Sequence, residues 1–207
     1  MNGILFKPEM IKAIAEGRKT VTRRMDGLRE INQVPNKWED KDGWQFKCVG
    51  GSWYATGKHG YHCAVKPRYQ VGEVVYIKEP WHYLNIEENK ATPYDFGIEF
   101  ADGEILWWTD NGNEMNYPLD EKKRSPMFLK AKFARYFIKI TDVRPERLQE
   151  ITEEDTIKEG IVPSRQRYFR PSNVEQYAAL WDSINPKRPW SSNPWVWRIE
   201  FKKVEKL

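Results

Sequence analysis

Residues 195 to 201, WVWRIEF, set Trp195, Trp197, Ile199 and Phe201 against Val196, Arg198 and Glu200. A period of two fits a pleated strand and no helix, so the chain must build a sheet with at least one face on a core. The pattern predicts a half-buried strand. FARYFIKITDV (133 to 143) repeats it, with Ala134, Tyr136, Ile138 and Ile140 on one face. VGEVVYIKEPW (71 to 81) is a β-branched run led by Gly72 and ended by Pro80, and IEFADGEILWW turns at Asp102-Gly103 as a hairpin.

Three short helices interrupt these strands. The first spans about Pro8 to Glu16, with Pro8 in its first turn, a stripe of Met10, Ile11 and Ile14, and Gly17 as its stop. ITEEDTIKEG (151 to 160) has Thr152 as N-cap, Asp155 three residues on and Gly160 at its end. SNVEQYAALWDSIN (172 to 185) opens with a Ser172/Glu175 capping box and carries Val174, Tyr177, Ala178, Trp181 and Ile184 as one stripe. Strands without a regular βαβ rhythm predict an α+β domain on a small, mostly antiparallel β-barrel with flanking short helices. At 207 residues the expectation is one elaborated domain over 1–207, with insertions at about 25–70 and 82–124. Hydrophobic content is only 40%, but 10 Trp, 10 Tyr and 9 Phe supply the large surfaces a core needs.

Net charge is +4, too small to announce a nucleic-acid partner. Its distribution says more. From Glu121 to Arg147 nine Lys/Arg stand against three acids, and Arg165, Arg167 and Arg170 surround Tyr168 and Phe169. Such interleaving suits single-stranded nucleic acid, where rings stack on bases and Arg holds phosphates. Core aromatics with snorkelling arginines give the same string. No apolar stretch is long enough for a signal sequence or a membrane span, so a soluble cytoplasmic protein without a membrane partner is expected. Two cysteines make no disulfide framework. Cys48, His59, His62 and Cys63 offer nitrogen and sulfur ligands for zinc, but C-x10-H-x2-H-C matches no common finger or ribbon, and a loop with two free thiols fits as well.

GRKTVTRR (17 to 24) raises the question of chemistry. Cations at a helix end complement its dipole, which is one account of the cluster. The other is catalytic. A lysine crowded by Arg18, Arg23 and Arg24 in a dry cleft has a lowered pKa and can take a proton from a threonine hydroxyl. Residues three apart on a strand point to opposite faces, so Lys19 meets Thr22 only if the helix-to-strand corner lies between them. Glu159, a carboxylate at the unfavourable end of its helix, is either a solvated acid or one with a purpose.

GRKTVTRR after a short helix, Gly72 leading VVYIKEPW, a basic alternating strand running into TDVRPERLQEITEEDTIKEGI, and a terminal WVWRIEF together resemble the ASCH domain of the PUA-like superfamily. The length, RSPMFL and LWDSIN followed by NPWVWRIEF look like the longer bacteriophage and prophage members. The resemblance covers 4–24, 71–81 and 124–203. Small bacterial ASCH proteins are amidohydrolases that deacetylate N4-acetylcytidine with a Lys, a Thr and a Glu. The resemblance implies catalytic Lys19, Thr22 and Glu159, substrate contacts from Arg24, Glu79 and Arg135, and no metal or cofactor. Other members of the family are viewed as RNA-binding modules or are linked to ribonuclease activity. The implied partner is therefore a modified nucleoside or RNA, and a phage structural accessory is a third possibility.

Overall fold

The computed structural model describes residues 1–33, 35, 46–49, 52–56, 62–84, 96–108, 123–163 and 171–206. In chain order the elements are β1 (Gly3–Leu5), α1 (Pro8–Ala15), β2 (Val21–Arg24), β3 (Phe46–Val49), β4 (Ser52–Thr56), β5 (His62–Val65), β6 (Val74–Lys78), β7 (Trp81–Leu84), β8 (Phe96–Phe100), β9 (Ile105–Trp108), β10 (Phe137–Arg147), α2 (Glu153–Lys158), α3 (Asn173–Ile184) and β11 (Trp195–Val204). The fold is α+β and mostly antiparallel. Its sheets have the orders β1-β6-β10-β11-β2, β3-β4-β5 and β7-β8-β9. Among the described residues none of them closes into a barrel, which corrects the barrel expectation. The insertion strands pair with each other as separate three-stranded meanders and so do not close the main sheet.

The chain forms two compact units. One holds Met1–Lys12, Val74–Ile138 and Lys203–Leu207; the other holds Ala13–Glu73 and Lys139–Lys202. In the first, β1 pairs parallel with β6, and Tyr76, Trp81, Ile98, Phe100, Leu129, Phe133 and Phe137 make the core. The expected hairpin is present as β8 and β9, with the Gly103 amide donating to Phe100 O at the turn. The VGEVVYIKEPW run is a strand over Val74–Lys78 that stops before Pro80, as expected, and β7 begins anew at Trp81. Ala134 and Tyr136 lie ahead of β10, because residues 131–133 take up a 3-10 turn first.

In the second unit β2 pairs antiparallel with β11, setting Thr22 opposite Ile199 and Arg23 opposite Arg198. Thr152 caps α2 by accepting from the Asp155 amide, and Ser172 and Glu175 cap α3 reciprocally. The α3 stripe is narrower than its sequence suggests, since Tyr177 and Trp181 are buried and Ile184 is exposed.

The half-buried expectation for 195–201 fails, because Trp195 through Ile199 are all buried. Val196 joins Leu148, Ile151, Tyr177 and Trp181 in a second core. The alternate face is covered by the first insertion. Phe46 on β3 meets Trp195 at 4.6 Å between ring centroids, and Trp53 on β4 meets Trp197 at 5.8 Å. Aromatic packing of this kind adds about 0.5–1.5 kcal/mol per pair beyond area burial. The insertion at 25–70 thus supplies a sheet, and with it the wall that buries β11.

Candidate active site

The groups gathered around Lys19 belong to the second unit. Helix α1 ends with Ala13 O accepting from the amides of Arg18 and Lys19, which turns the chain out of the helix just before β2 begins. The Thr20 amide then donates to Lys158 O, joining this corner to the end of α2. At that end Gly160 has φ +96, and a Cβ there would stand 3.2 Å from Ala13 Cβ and 3.4 Å from Lys19 Cβ. Gly160 therefore lets α2 finish directly against the Lys19 side chain.

Lys19 is fully buried. Its Nζ donates to Val21 O at 2.8 Å, Glu159 O at 2.8 Å and Glu159 Oε2 at 2.5 Å. Burial pushes the lysine pKa below its ordinary value of 10.5; Glu159 pulls it back, and Arg24 and Arg23 lower it further. Glu159 is the C-cap of α2, one residue past the helix rather than inside its last turn. Its Oε1 accepts from Arg23 Nη1 at 3.1 Å and from the Tyr177 hydroxyl at 3.3 Å. Two cations and a phenol therefore hold an acid that the helix dipole alone would disfavour. The Tyr177 hydroxyl is kept protonated well above the usual range, first by burial and then by the Glu159 charge.

Arg23, expected from the sequence only as a cation crowding Lys19, is the hub of the site. Its Nε donates to Glu146 Oε1 at 2.7 Å and its Nη2 to Asp155 Oδ2 at 2.9 Å. Arg198, opposite it on β11, donates to Asp155 Oδ1 at 3.0 Å and to Glu200. Two arginines face to face across a ladder repel unless acids sit between them, and Asp155 bridges both. Burial opposes charge on Arg23, but Glu159 and Glu146 outweigh it and raise its pKa. A pair of arginines in register leaves no trace in a linear sequence, so the meeting of Arg23, Glu146, Asp155, Tyr177 and Arg198 at one site could not be read from it.

Thr22 is buried on β2, but Lys19 does not bond to it; strand alternation puts Thr22 and Arg24 on the face opposite Val21 and Arg23. The corner between Lys19 and Thr22 that the spacing required is present, since β2 starts at Val21. Arg24 is half-buried, and the loss of solvent around it lowers its pKa against the pull of Tyr69, Asp26 and Glu159. Glu79 and Arg135 lie in the first unit and pair with each other. Arg135 also holds Asp102 and Glu104 beside the hairpin turn and stacks 4.1 Å over the Phe100 ring. Burial raises the Glu79 pKa, with Arg135 opposing.

Cys48 is an exposed free thiol. His59 and the side chains of His62 and Cys63 lie outside the described residues, as do Arg165, Arg167, Tyr168, Phe169 and Arg170. Among the described residues no cluster of three His, Cys, Asp or Glu side chains is arranged to hold a metal, and no helix is long and apolar enough to cross a membrane. Comparisons of the chain with protein-family models, with curated proteins and with solved structures found no match.

Proposed function

We propose that the chain is a PUA-like, ASCH-type amidohydrolase that removes an acyl group from N4-acetylcytidine or a related modified pyrimidine, using Lys19, Thr22 and Glu159. The observation that carries this reading is the buried Lys19–Glu159 pair, at 2.5 Å, joining two segments 140 residues apart. A lysine in a dry, cation-rich setting is poised to work as a neutral base. Glu159, clamped by Arg23 and Tyr177, fixes the position of that amine.

In the proposed reaction Lys19 Nζ exchanges its Val21 O partner for the Thr22 hydroxyl. It takes the hydroxyl proton as Thr22 Oγ1 bonds to the acyl carbon. The resulting ammonium protonates the exocyclic nitrogen as the C–N bond breaks, and a water activated by Lys19 then hydrolyses the acyl-threonine. Arg24 and the strand amides supply positive charge for the oxyanion.

The test is loss of N4-acetylcytidine absorbance with wild type, Lys19→Ala and Thr22→Ala. Turnover abolished in both folded variants is expected, with a wild-type rate that climbs with pH through a lysine pKa lowered from 10.5 and then levels off. A flat profile removes Lys19 from the role of base. A second reading, a module that binds RNA or a modified base without turning it over, draws on the Lys19 donors already being directed to Val21 O and Glu159 rather than to Thr22. No hydrolysis by the wild type, together with RNA binding that weakens steeply with salt, selects it.

A further inference from the structure

Against the outer face of β11 and the end of β10 lies a cleft of about 260 Å3, walled by Phe46, Trp53 and Trp195 and edged by Arg144, Glu146 and Glu150. Every one of these residues belongs to the second unit. The volume is just below the roughly 300–1,000 Å3 of sites for drug-sized molecules, which suits a single fused ring system. Trp195 forms the back wall: it is buried, with Phe46 against one side and the Arg147 guanidinium 5.4 Å from its ring centroid. Phe46 and Trp53 are only half-buried and keep ring surface open.

The edge chemistry narrows the ligand. Glu146 Oε1 accepts from Arg23, whereas among the described residues Oε2 is approached by Arg198 Nε at 3.8 Å and Arg144 Nε at 3.9 Å, leaving that oxygen able to accept a further N–H. Glu150 commits Oε2 to the Arg147 amide. Three guanidiniums already surround Glu146, so an organic cation would gain nothing from its charge. A neutral planar ring that donates N–H groups along one edge fits instead. Arg144, whose side chain is half-exposed at the mouth, suits an attached phosphate.

We infer that this cleft is a nucleobase site for a guanine-type ring, stacked on Phe46 and Trp53, giving its adjacent ring N–H and amino hydrogens to Glu146, with its 5′-phosphate on Arg144. The same chemistry is carried by a free guanosine monophosphate and by a guanine in single-stranded RNA. The inference does not depend on the amidohydrolase reading, because the readout is binding.

The test is calorimetric titration of the whole protein with guanosine, inosine, adenosine and guanosine monophosphates, guanosine, and a short single-stranded RNA carrying one guanine. Guanosine monophosphate should bind at least about tenfold tighter than inosine monophosphate, which lacks the amino group, or adenosine monophosphate. Trp53→Ala should cost about tenfold, the usual scale of losing a stacking partner. Trp53 packs on Trp197 and Phe46 on Trp195, so Phe46→Leu, which keeps an apolar side chain in place, serves as the milder change and should weaken binding while the protein stays folded. Arg144→Ala should erase the advantage of the monophosphate over guanosine and leave guanosine binding intact. Tighter RNA binding with a steep salt dependence identifies the polymer as the source, and equal affinities identify the mononucleotide; both support the site. No binding of guanosine monophosphate or RNA at millimolar concentration overturns it. So does binding that ignores the base or survives both Phe46→Leu and Arg144→Ala.

Discussion

At the scale of single residues, charge compensation in the second unit hinges on Glu159. Replacing it with Ala leaves the Lys19 and Arg23 charges buried without the carboxylate they share. Removing one partner from a buried pair costs about 3–5 kcal/mol, so Glu159→Ala should lower the urea midpoint strongly. Lys19→Ala should cost less, because Glu159 keeps Arg23 and Tyr177. The double variant should fall short of the sum by about 1–3 kcal/mol, as expected for groups in contact. Additive losses would mean that the pair is not coupled. The spacing of Lys19 and Thr22 and the odd position of Glu159 were visible in the chain. Their partners were not, because Arg23, Asp155 and Glu146 meet only through the β2–β11 register and the docking of α2.

At the scale of elements, one buried amide ties the segment after β2 to β11. Asn32 Nδ2 donates to Trp195 O at 2.8 Å and its Oδ1 accepts from the Trp195 amide at 2.7 Å. Asn32→Ala leaves both backbone groups buried without partners, at about 1–3 kcal/mol for each one unsatisfied, so a loss of roughly 2–4 kcal/mol in denaturant unfolding is expected. Gly160→Ala combines strain at φ +96 with crowding of Ala13 and Lys19 and should cost about 1–3 kcal/mol. Gly17→Ala is its control: φ is +76, but nothing lies within 4 Å of the added methyl, so its melting temperature should drop less. Equal drops for the two would show that the approach of α2 to Lys19 carries no energy. Helix caps were legible because Thr152, Ser172 and Glu175 act within one turn of sequence. The three-stranded β3–β5 sheet was read only as a polar insertion, since few of its residues alternate clearly and its aromatic partners lie far along the chain on β11.

At the scale of the whole molecule, the buried and half-buried carboxyls set opposing pH trends. Burial alone would raise the pKa of Asp155, but Arg198 and Arg23 outweigh it and hold the group below its ordinary 3.8. That stabilisation is complete above about pH 4 and is lost as pH falls through the lowered value. Glu79 and Glu146 are raised above 4.5, burial prevailing over Arg135 and Arg23 respectively. They cost stability at neutral pH, and the cost is relieved as pH falls through their raised values. Urea unfolding followed from neutral pH downward should show a shallow rise in stability toward about pH 4.5 and a fall below about 3.8. A steady decline from neutral pH would contradict the raised values.

Local patterns in the chain predict where helices begin, where the 102–103 hairpin turns and that strands dominate, and they single out GRKTVTRR as a place to look for chemistry. These features depend on side-chain periodicity, capping groups and turn residues within a few positions of one another. Only the tertiary structure decided that the strands form open sheets, that WVWRIEF is buried on both faces, that Glu79 and Arg135 answer each other, and that Lys19 ends on Glu159. Those outcomes depend on which distant segments share a low-dielectric space, where an unpaired charge or amide is too costly to leave. No local pattern encodes that pairing.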